Sequence, residues 1–397
     1  MRRLLAPILF LCAVSAQAQH PPVSLPELVD AAWQREPRAR LLDARRAELT
    51  ALAEVAAGSL PGPGTVGIAH RSDRLQSDRG RLEWELEYAQ PLWLPGQAEA
   101  RRQEAAAALR ALEAERAALR LGLARNLSGE LLAWQSARAG LWLAEDRLAL
   151  ARALSDDLAR RLRAGEAPRF DANLADSERL AAEAQLAEQG LLVAEAARRF
   201  ERLTGTPPPE TLPRPPATGP AAEHPTLAAA REGAALARAR LAGTRQSLRD
   251  NPELGVRLRH ERDSFGAPFG DSVALRISIP LASAPRSAAR EAAAIATVTE
   301  TAVALERARD QLQLDLAQAA DQLAAADRLH AAAEARRRLA TDNVALADKA
   351  WRLGERPLEA LLRARAAAFD ADAALLRAGL ARDQALAWRD YLNGAIE

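Results

Sequence analysis

Charged side chains beside two glycine turns are the residues of this sequence best placed for chemistry. Arg160-x-x-Arg163-x-Gly165-x-x-Pro168 has the same spacing as Lys349-x-x-Arg352-x-Gly354-x-x-Pro357. Each motif follows a long run without proline, so the basic groups should lie at helix C-termini, where the helix dipole favours cations. Glycine permits a tight reversal there, and proline suits the first turn of a returning helix. The chemistry available at these turns is electrostatic recognition of charged groups.

Patterns typical of catalytic or metal sites are absent from the sequence. The five histidines have no H-x-x-x-H spacing and do not lie near the single cysteine, whereas a dedicated metal site needs three or four convergent ligands. There is no G-x-S-x-G, P-loop or H-E-x-x-H motif, and no glycine-rich stretch opens a nucleotide-binding strand–helix unit. We therefore expect no catalytic residue, no metal site and no cofactor, and we do not expect an enzyme.

The N-terminus has the pattern of a cleaved Sec-type signal peptide over residues 1–18. Arg2 and Arg3 precede an apolar stretch, and Ala16-Gln17-Ala18 forms the cleavage site. Cleavage would change the formal charge from +1 to −1, because it removes two arginines and no acid. A near-zero charge argues against nucleic-acid binding. Lipidation of Cys12 is the weaker alternative, since bulky Leu11 precedes it.

The chain is predicted to be a duplication. Pro91 and Pro280, Gly165 and Gly354, and Pro168 and Pro357 are each 189 residues apart, while Pro37 and Pro225 differ by 188 and His70 and His260 by 190. Internal repetition at a fixed offset indicates repeated structural units. We expect a first repeat over 19–206, a Pro-rich linker over 207–221 and a second repeat over 222–397, with both repeats forming one structural unit.

Both repeats predict the same elements in the same order: a helix, two short strands, a very long helix, the glycine turn and a returning helix. In the first repeat these are 25–60 (broken near Pro37), 65–71, 81–89, 97–164 and 170–203. In the second they are 226–249, 254–262, 273–279, 286–353 and 358–392.

The long helices carry leucine rows at seven-residue spacing. Each helix would span roughly 100 Å at about 1.5 Å per residue, and the heptad spacing predicts packing against a neighbouring helix. The rows are Leu127, Trp134, Leu141, Leu148 and Leu162, interrupted by Ser155, and Leu339, Leu346 and Leu353.

The strands alternate as membrane strands do. Leu82, Trp84, Leu86 and Tyr88 share a face opposite Glu83, Glu85 and Glu87, and the strand lengths suit tilted strands in a bilayer. After the signal peptide no run of about 18 apolar residues follows. Four strands cannot close a barrel, so copies must pool theirs, and three copies would supply twelve. The residues expected to line the lumen are Glu83, Glu85, Glu87, Arg257, Arg259 and Arg276.

This ordered set of motifs resembles the TolC-like outer-membrane efflux proteins. The resemblance rests on SLPELVDAAWQREPRA, AQPLWLPGQAEARR, RRLRAGEAPRFDANLADSE, its counterpart KAWRLGERPLEALLRARA, and FERLTGTPP, and it covers residues 24–394. The short chain and LPGQAEAR are similar to the CzcC-like, heavy-metal branch. The implied fold is mainly α with a small β part, in which duplicated strand pairs and coiled-coil hairpins form a trimeric twelve-stranded outer-membrane β-barrel joined to a periplasmic α-helical tunnel.

The resemblance also implies a function and partners. The homotrimer would be a passive duct in outer-membrane lipid, exporting metal cations or small toxic compounds delivered by a periplasmic adaptor and an inner-membrane pump of the resistance-nodulation-division type. The adaptor would dock at the two tips, through Arg160, Arg163, Gly165, Pro168, Lys349, Arg352, Gly354 and Pro357. A periplasmic gate would use Asp156, Asp157, Asp342 and Asp348. Type I protein secretion and a non-inserted periplasmic scaffold are the alternatives.

Overall fold

The computed structural model describes residues 24–209, 223–281 and 283–394. The predicted signal peptide, Cys12 and residues 210–222 of the linker region lie outside the described residues. The elements are α1 (Leu25–Arg35), α2 (Pro37–Ala57), β1 (Thr65–Ser72), β2 (Leu82–Pro91), α3 (Gln97–Ala164), α4 (Arg169–Thr204), α5 (Pro225–Gln246), β3 (Glu253–Arg262), β4 (Gly270–Ser278), α6 (Ala284–Arg352) and α7 (Leu358–Leu392).

The first helical segment begins with a capping box and breaks where the sequence predicts. The Ser24 hydroxyl accepts from the Glu27 backbone N–H, and the Glu27 carboxylate accepts in return from the Ser24 N–H. Glu36 has extended backbone angles, and Pro37 opens α2 at its first position, because proline cannot donate the hydrogen bond that would continue α1. The break predicted near Pro37 is therefore confirmed, although α2 ends at Ala57 rather than Leu60.

The four strands form one antiparallel sheet in the order β1-β2-β3-β4. Apolar residues pair with apolar residues across the strands: Leu86 lies between Ile68 and Leu258, and Leu258 pairs with Val273. Because side chains alternate between faces along a strand, one face of the sheet is apolar and the other charged. The apolar row is exposed in the single chain, with Ile68 at 74% and Val273 at 70%.

The helices form two long antiparallel hairpins, α3 with α4 and α6 with α7. The bounds of the long helices differ from the predicted ones by at most two residues. Near the C-terminal end of α4, far from the glycine turn, Phe200 is fully buried with Leu127 and Leu131 of α3. Ala124 of α3 and Leu25, Leu28 and Val29 of α1 complete this cluster, which holds α1 against the hairpin.

The predicted heptad row of α6 does not pack inside the chain. Leu339, Leu346 and Leu353 are 68%, 59% and 63% exposed. The buried residues of α6 are instead Leu305, Ala319, Ala326 and Ala340, at multiples of seven residues. Helix axes approach more closely where the contacting side chains are small, so the alanine row forms the buried side of α6 and the leucine row faces outward.

His224 joins the start of α5 to the end of α7. In one tautomer its Nε2–H donates to the Tyr391 carbonyl oxygen (3.2 Å), and its Nδ1 accepts from the Thr226 hydroxyl (2.6 Å). Tyr391 stacks on Trp388, and the Arg125 guanidinium lies 4.0 Å from the centre of the Trp388 ring. Burial lowers the pKa of His224, against the opposing effect of the Tyr391 carbonyl.

Acidification is expected to loosen this junction. Below about pH 6.5 the unfolded chain takes up a proton on His224 before the folded chain does, so the free energy of unfolding falls until the pH passes the lowered folded pKa. Denaturant midpoints measured at neutral pH and near pH 5 should therefore differ less in His224→Gln than in the natural chain. Equal differences in both proteins would contradict a neutral, buried His224.

Candidate functional site

Both glycine turns close the long helices with the same backbone geometry. Gly165 has φ +78°. Its N–H donates to the Leu162 carbonyl oxygen (3.1 Å), and the Glu166 N–H donates to the Arg161 carbonyl oxygen (2.8 Å). Gly354 has φ +73°, and the Glu355 N–H donates to the Ala350 carbonyl (2.9 Å). This left-handed C-terminal cap favours glycine. No atom lies within 4 Å of a Cβ built on either glycine, so both tips are open.

The two prolines lie one position earlier than the sequence predicts. Pro168 and Pro357 are the extended N-cap residues of α4 and α7, with ψ 145° and 156°, and not members of the first helical turn. A proline at this position has a fixed φ and orients the chain as it enters the returning helix.

The tip arginines are partly neutralised by aspartates of their own helices. Asp157 pairs with Arg160 (3.1 Å) and Arg161 (2.9 Å), and Asp348 pairs with Arg352 (2.8 Å). Such exposed pairs along a helix each contribute about 0.3–0.5 kcal/mol. Arg163 donates to the Ala159 carbonyl (3.3 Å), and Lys349 is exposed. Two of the four candidate gate residues are thus counterions of the candidate docking residues.

The other two candidate gate residues, Asp156 and Asp342, are exposed and form no ion pair with any residue in the described part of the chain. They are therefore the two of the four candidate gate residues whose charge no ion pair compensates among the described residues. Asp156 lies in the last three turns of α3, and Asp342 in the last three turns of α6.

A contact between the two hairpins near the tips is absent from the sequence predictions. Leu358 and Leu361 at the start of α7 are buried against Leu154 and Leu158 of α3 and Ala175 of α4. Their helical spacing could have indicated a buried face, but the partner helix is more than 180 residues away in sequence.

Charged groups surround this apolar contact. The Arg161 guanidinium lies 5.4 Å from the centre of the Trp351 ring, joining the two tips. Arg365 lies 3.8 Å from Asp348, and burial lowers the pKa of Arg365 while Asp348 opposes that effect. An arginine stays protonated at neutral pH despite such a shift. Arg365 and Asp348 both belong to the second hairpin, so the charged contact between the two hairpins is that of Arg161 with Trp351.

The charged face of the sheet is a lattice of ion pairs. Arg257 lies 2.8 Å from Glu85 and 3.0 Å from Glu87, and Arg259 lies 3.1 Å from Glu83 and 3.5 Å from Glu85. The Arg257 Nε–H does not point at Glu85, so that contact is ionic and not a hydrogen bond. Each arginine bridges the glutamate directly opposite and the next one on its face.

The outer strands extend this lattice. Arg71 of β1 lies 3.1 Å from Glu83, and Arg276 of β4 lies 3.4 Å from Glu87. Glu83 is only 3% exposed, and its carboxylate contacts two arginines, Arg71 and Arg259. The predicted set of six residues is therefore brought together on one face of the sheet, and its charges largely compensate one another. The predicted set lacks two members of the lattice, Arg71 and Glu261, which lies 3.8 Å from Arg259.

Within the described residues, no group of three or more His, Cys, Asp or Glu side chains is arranged to hold a metal ion. Among the helices that the structure describes, none is both long enough and apolar enough to cross a membrane.

Solved structures of outer-membrane proteins have a similar fold. The outer-membrane protein VceC of Vibrio cholerae matches with a TM-score of 0.73 at 17% identity, covering 94% of this chain and 96% of that one. The CmeC outer-membrane channel of Campylobacter jejuni matches with a TM-score of 0.74 at 13% identity, over 99% and 94%. The open MtrE channel of Neisseria gonorrhoeae gives 0.72 at 18%, over 94% and 89%. No protein-family model and no curated protein sequence matches the chain. Over nearly its whole length, the chain has a fold similar to that of these outer-membrane channels.

Proposed function

We propose that this chain is the outer-membrane duct of a tripartite efflux system and is a TolC-like efflux protein. The observation that carries the proposal is the likeness to outer-membrane channels over nearly the whole of both chains. The duct is a passive homotrimer that reaches the outer membrane after signal-peptide cleavage at Ala18. The transported compounds come from an inner-membrane pump of the resistance-nodulation-division type through a periplasmic adaptor.

The sheet supports assembly from several copies. β1 and β4 each have one edge without a strand partner among the described residues, and open edges are not tolerated in lipid. Three copies would join these edges into twelve strands, a size that outer-membrane barrels adopt. The exposed apolar row would then face lipid, and the ion-paired face would line the lumen.

The tips support docking of an adaptor. Both are open, both carry arginines, and two tips per chain in a trimer would offer six similar surfaces. Docking would involve Arg160, Arg163, Lys349 and Arg352 around the turns formed by Gly165, Pro168, Gly354 and Pro357. Asp156 and Asp342 are the better gate candidates, because threefold symmetry would make each one a ring of three carboxylates that acts on passing cations. Asp157 and Asp348 would act chiefly by orienting the tip arginines.

We propose the CzcC-like, heavy-metal branch because of the LPGQAEAR motif, with metal cations or small toxic compounds as cargo. The described residues provide no metal-selective ligand group. Choice of cargo would therefore be made by the pump.

Conductance in planar lipid bilayers tests the duct and the lumen lattice together. The purified protein should conduct ions without an energy source. Arg257→Gln leaves the lattice with excess carboxylate, so its reversal potential in a salt gradient should shift toward cation selectivity. Glu85→Gln is the matched opposite change and should shift selectivity toward anions. A protein that never conducts would contradict the duct, and a conducting protein whose selectivity ignores both changes would contradict a lumen lined by this face.

A further inference from the structure

The apolar face of the sheet ends in a row of polar and aromatic side chains. One cross-strand row pairs His70 with Trp84, Trp84 with His260, and His260 with Asp271. Each of these residues lies two positions along its strand from the exposed apolar row, so both rows are on the same face. This rim row lies at the loop end of the sheet, because every strand joins its helix at the opposite end.

Basic side chains occur at only one end of this face. Among the strand residues that share it, the basic ones are His70, His260 and Arg262, and all three lie at the loop end. The row at the helix end, which pairs Leu254 with Ile277, carries no charged residue. In the proposed duct the helices extend into the periplasm, so the basic end lies at the level of the outer-leaflet headgroups.

Arg262 is held in place but keeps part of its guanidinium free. Its Nε–H donates to the Gly80 carbonyl oxygen (3.1 Å). The guanidinium carbon lies 5.1 Å from the centre of the Phe269 ring and 5.8 Å from that of Phe265. Within the described residues Arg262 forms no ion pair, and its two terminal nitrogens donate no hydrogen bond. An arginine with both terminal nitrogens available can bind a phosphate through two parallel hydrogen bonds.

The two loops of the chain are joined beside this arginine. The Phe265 N–H of one loop donates to the Arg79 carbonyl oxygen of the other (2.9 Å). Gly80 has φ +89°, and a Cβ built on it would lie 2.5 Å from the Phe265 nitrogen. Because the backbones approach this closely, Phe265 and the carbonyl that holds Arg262 have fixed relative positions.

A carboxylate and exposed aromatic rings surround the arginine. His260 Nδ1 lies 2.6 Å from an Asp271 carboxylate oxygen, and the His260 ring stacks on Phe269 with 4.3 Å between ring centres. The Asp271 side chain is 83% exposed, so it can also accept hydrogen bonds from hydroxyl groups. Trp84 and Phe265 are 47% and 64% exposed, and their negatively polarised ring faces attract the C–H groups of a sugar. A carboxylate repels bare phosphate, so this combination suits a phosphorylated sugar.

An open hollow of about 470 Å³ lies next to these groups on the apolar face. Its lining includes the whole exposed apolar row, together with Trp84, His260 and Asp271 of the rim row. The hollow therefore runs from apolar side chains at one end to polar ones at the other. A lipid has the same order of groups, with its acyl chain beside the apolar row and its headgroup beside the rim row.

We propose that the loop end of this face binds a phosphorylated glycolipid of the outer leaflet. Arg262 binds its phosphate, Asp271 accepts from a sugar hydroxyl, and the sugar lies against Trp84 and Phe265. An acyl chain fills the hollow over the apolar row. The inference rests on the proposed duct and goes beyond it by assigning a class of lipid to one end of the sheet.

Native mass spectrometry of the detergent-purified full chain tests the lipid class. The probes are lipid A with its phosphates, the same glycolipid after their removal, and phosphatidylglycerol, which has a phosphate but no sugar. The natural protein should retain phosphorylated lipid A in preference to both others, and inorganic phosphate should not displace it. Equal retention of phosphatidylglycerol, or displacement by inorganic phosphate, would overturn the assignment to a phosphorylated glycolipid.

Arg262→Gln removes the free guanidinium from the outward face. It should lower the retention of phosphorylated lipid A by about tenfold, as expected for the loss of a charge-assisted hydrogen bond. Arg249→Gln is the matched control, because Arg249 is exposed in the segment between α5 and β3, at the helix end of the sheet. This control removes the same charge and should leave retention unchanged. Equal losses in the two variants would mean that only overall charge matters, and would overturn the site.

Conductance in planar bilayers separates this inference from the proposed function. Arg262→Gln should conduct like the natural protein, because Arg262 is on the face opposite the ion-paired one. A conducting trimer that retains lipid A equally well with and without Arg262 would overturn the lipid site and leave the duct intact. A protein that neither assembles nor conducts would overturn the proposed function itself.

Phe265→Leu gives a second readout that does not depend on charge. It keeps an apolar side chain in the loop and removes the ring face. The preference for phosphorylated lipid A over phosphatidylglycerol should fall, while the yield of trimer stays the same. An unchanged preference would contradict contact between the sugar and Phe265.

Discussion

A chain with leucine at both Gly165 and Gly354 is expected to assemble normally and to lose export. Each substitution places a side chain on a left-handed residue, which costs about 1–2 kcal/mol. Neither side chain would meet an atom of the chain within 4 Å, so the hairpins should stay folded. The added bulk would project from the surface where the adaptor is proposed to dock. Export measured in cells that rely on this duct should fall to background while trimer yield stays close to normal.

Gly266 provides the matched control for this change. It has φ +78° and no neighbour within 4 Å of a built Cβ, and it lies in the loop between β3 and β4 instead of at a tip. Gly266→Leu should carry the same backbone cost and leave export intact. Export that survives both tip substitutions, or that is lost equally in Gly266→Leu, would be incompatible with docking at the tips.

Phe200→Ala is expected to cause the largest loss of stability from a single change. Phe200 is fully buried among Leu25, Leu28 and Val29 of α1 and Leu127 and Leu131 of α3. Truncating a buried phenylalanine typically costs about 3–5 kcal/mol, through lost burial and the cavity left behind. The denaturant midpoint of the purified protein should fall clearly. Proteolysis should then begin at α1, because this cluster anchors that helix to the first hairpin.

Phe170→Ala is the control, because it makes the same residue change at an exposed position. It is the same residue type on the same helix but is 67% exposed, so Phe170→Ala should change the midpoint little. Similar midpoints for the two alanine variants would mean that the cluster around Phe200 does not hold α1 in place.

Much of the fold could be predicted from the sequence because local signals agree along each repeat. The residues Gly165, Pro168, Gly354 and Pro357 mark helix ends. Glycine readily adopts the left-handed conformation of a C-terminal cap, and proline has a fixed φ and no backbone N–H to continue a helix. Alternation over Arg81–Ala89 predicts both the strand and its two faces. The charged face can therefore be predicted from one strand alone, without its partner strand.

Contacts between distant segments could not be predicted in the same way. The contact of α7 with α3 joins Leu358 to Leu154 across the linker, and no local pattern specifies it. Heptad spacing predicts that the leucine row of α6 packs against a helix, but the chain buries the alanine row and leaves Leu339 exposed. Periodicity identifies an apolar stripe and does not say whether the partner helix belongs to the same copy.

The mass and membrane partition of the protein test the proposed duct most directly. After membrane fractionation and detergent extraction, light scattering of the purified protein should give three times the mass of one mature chain, and the protein should be found in the outer-membrane fraction. A soluble periplasmic monomer or dimer would mean that the four strands do not enter a membrane, and the chain would then be a periplasmic scaffold.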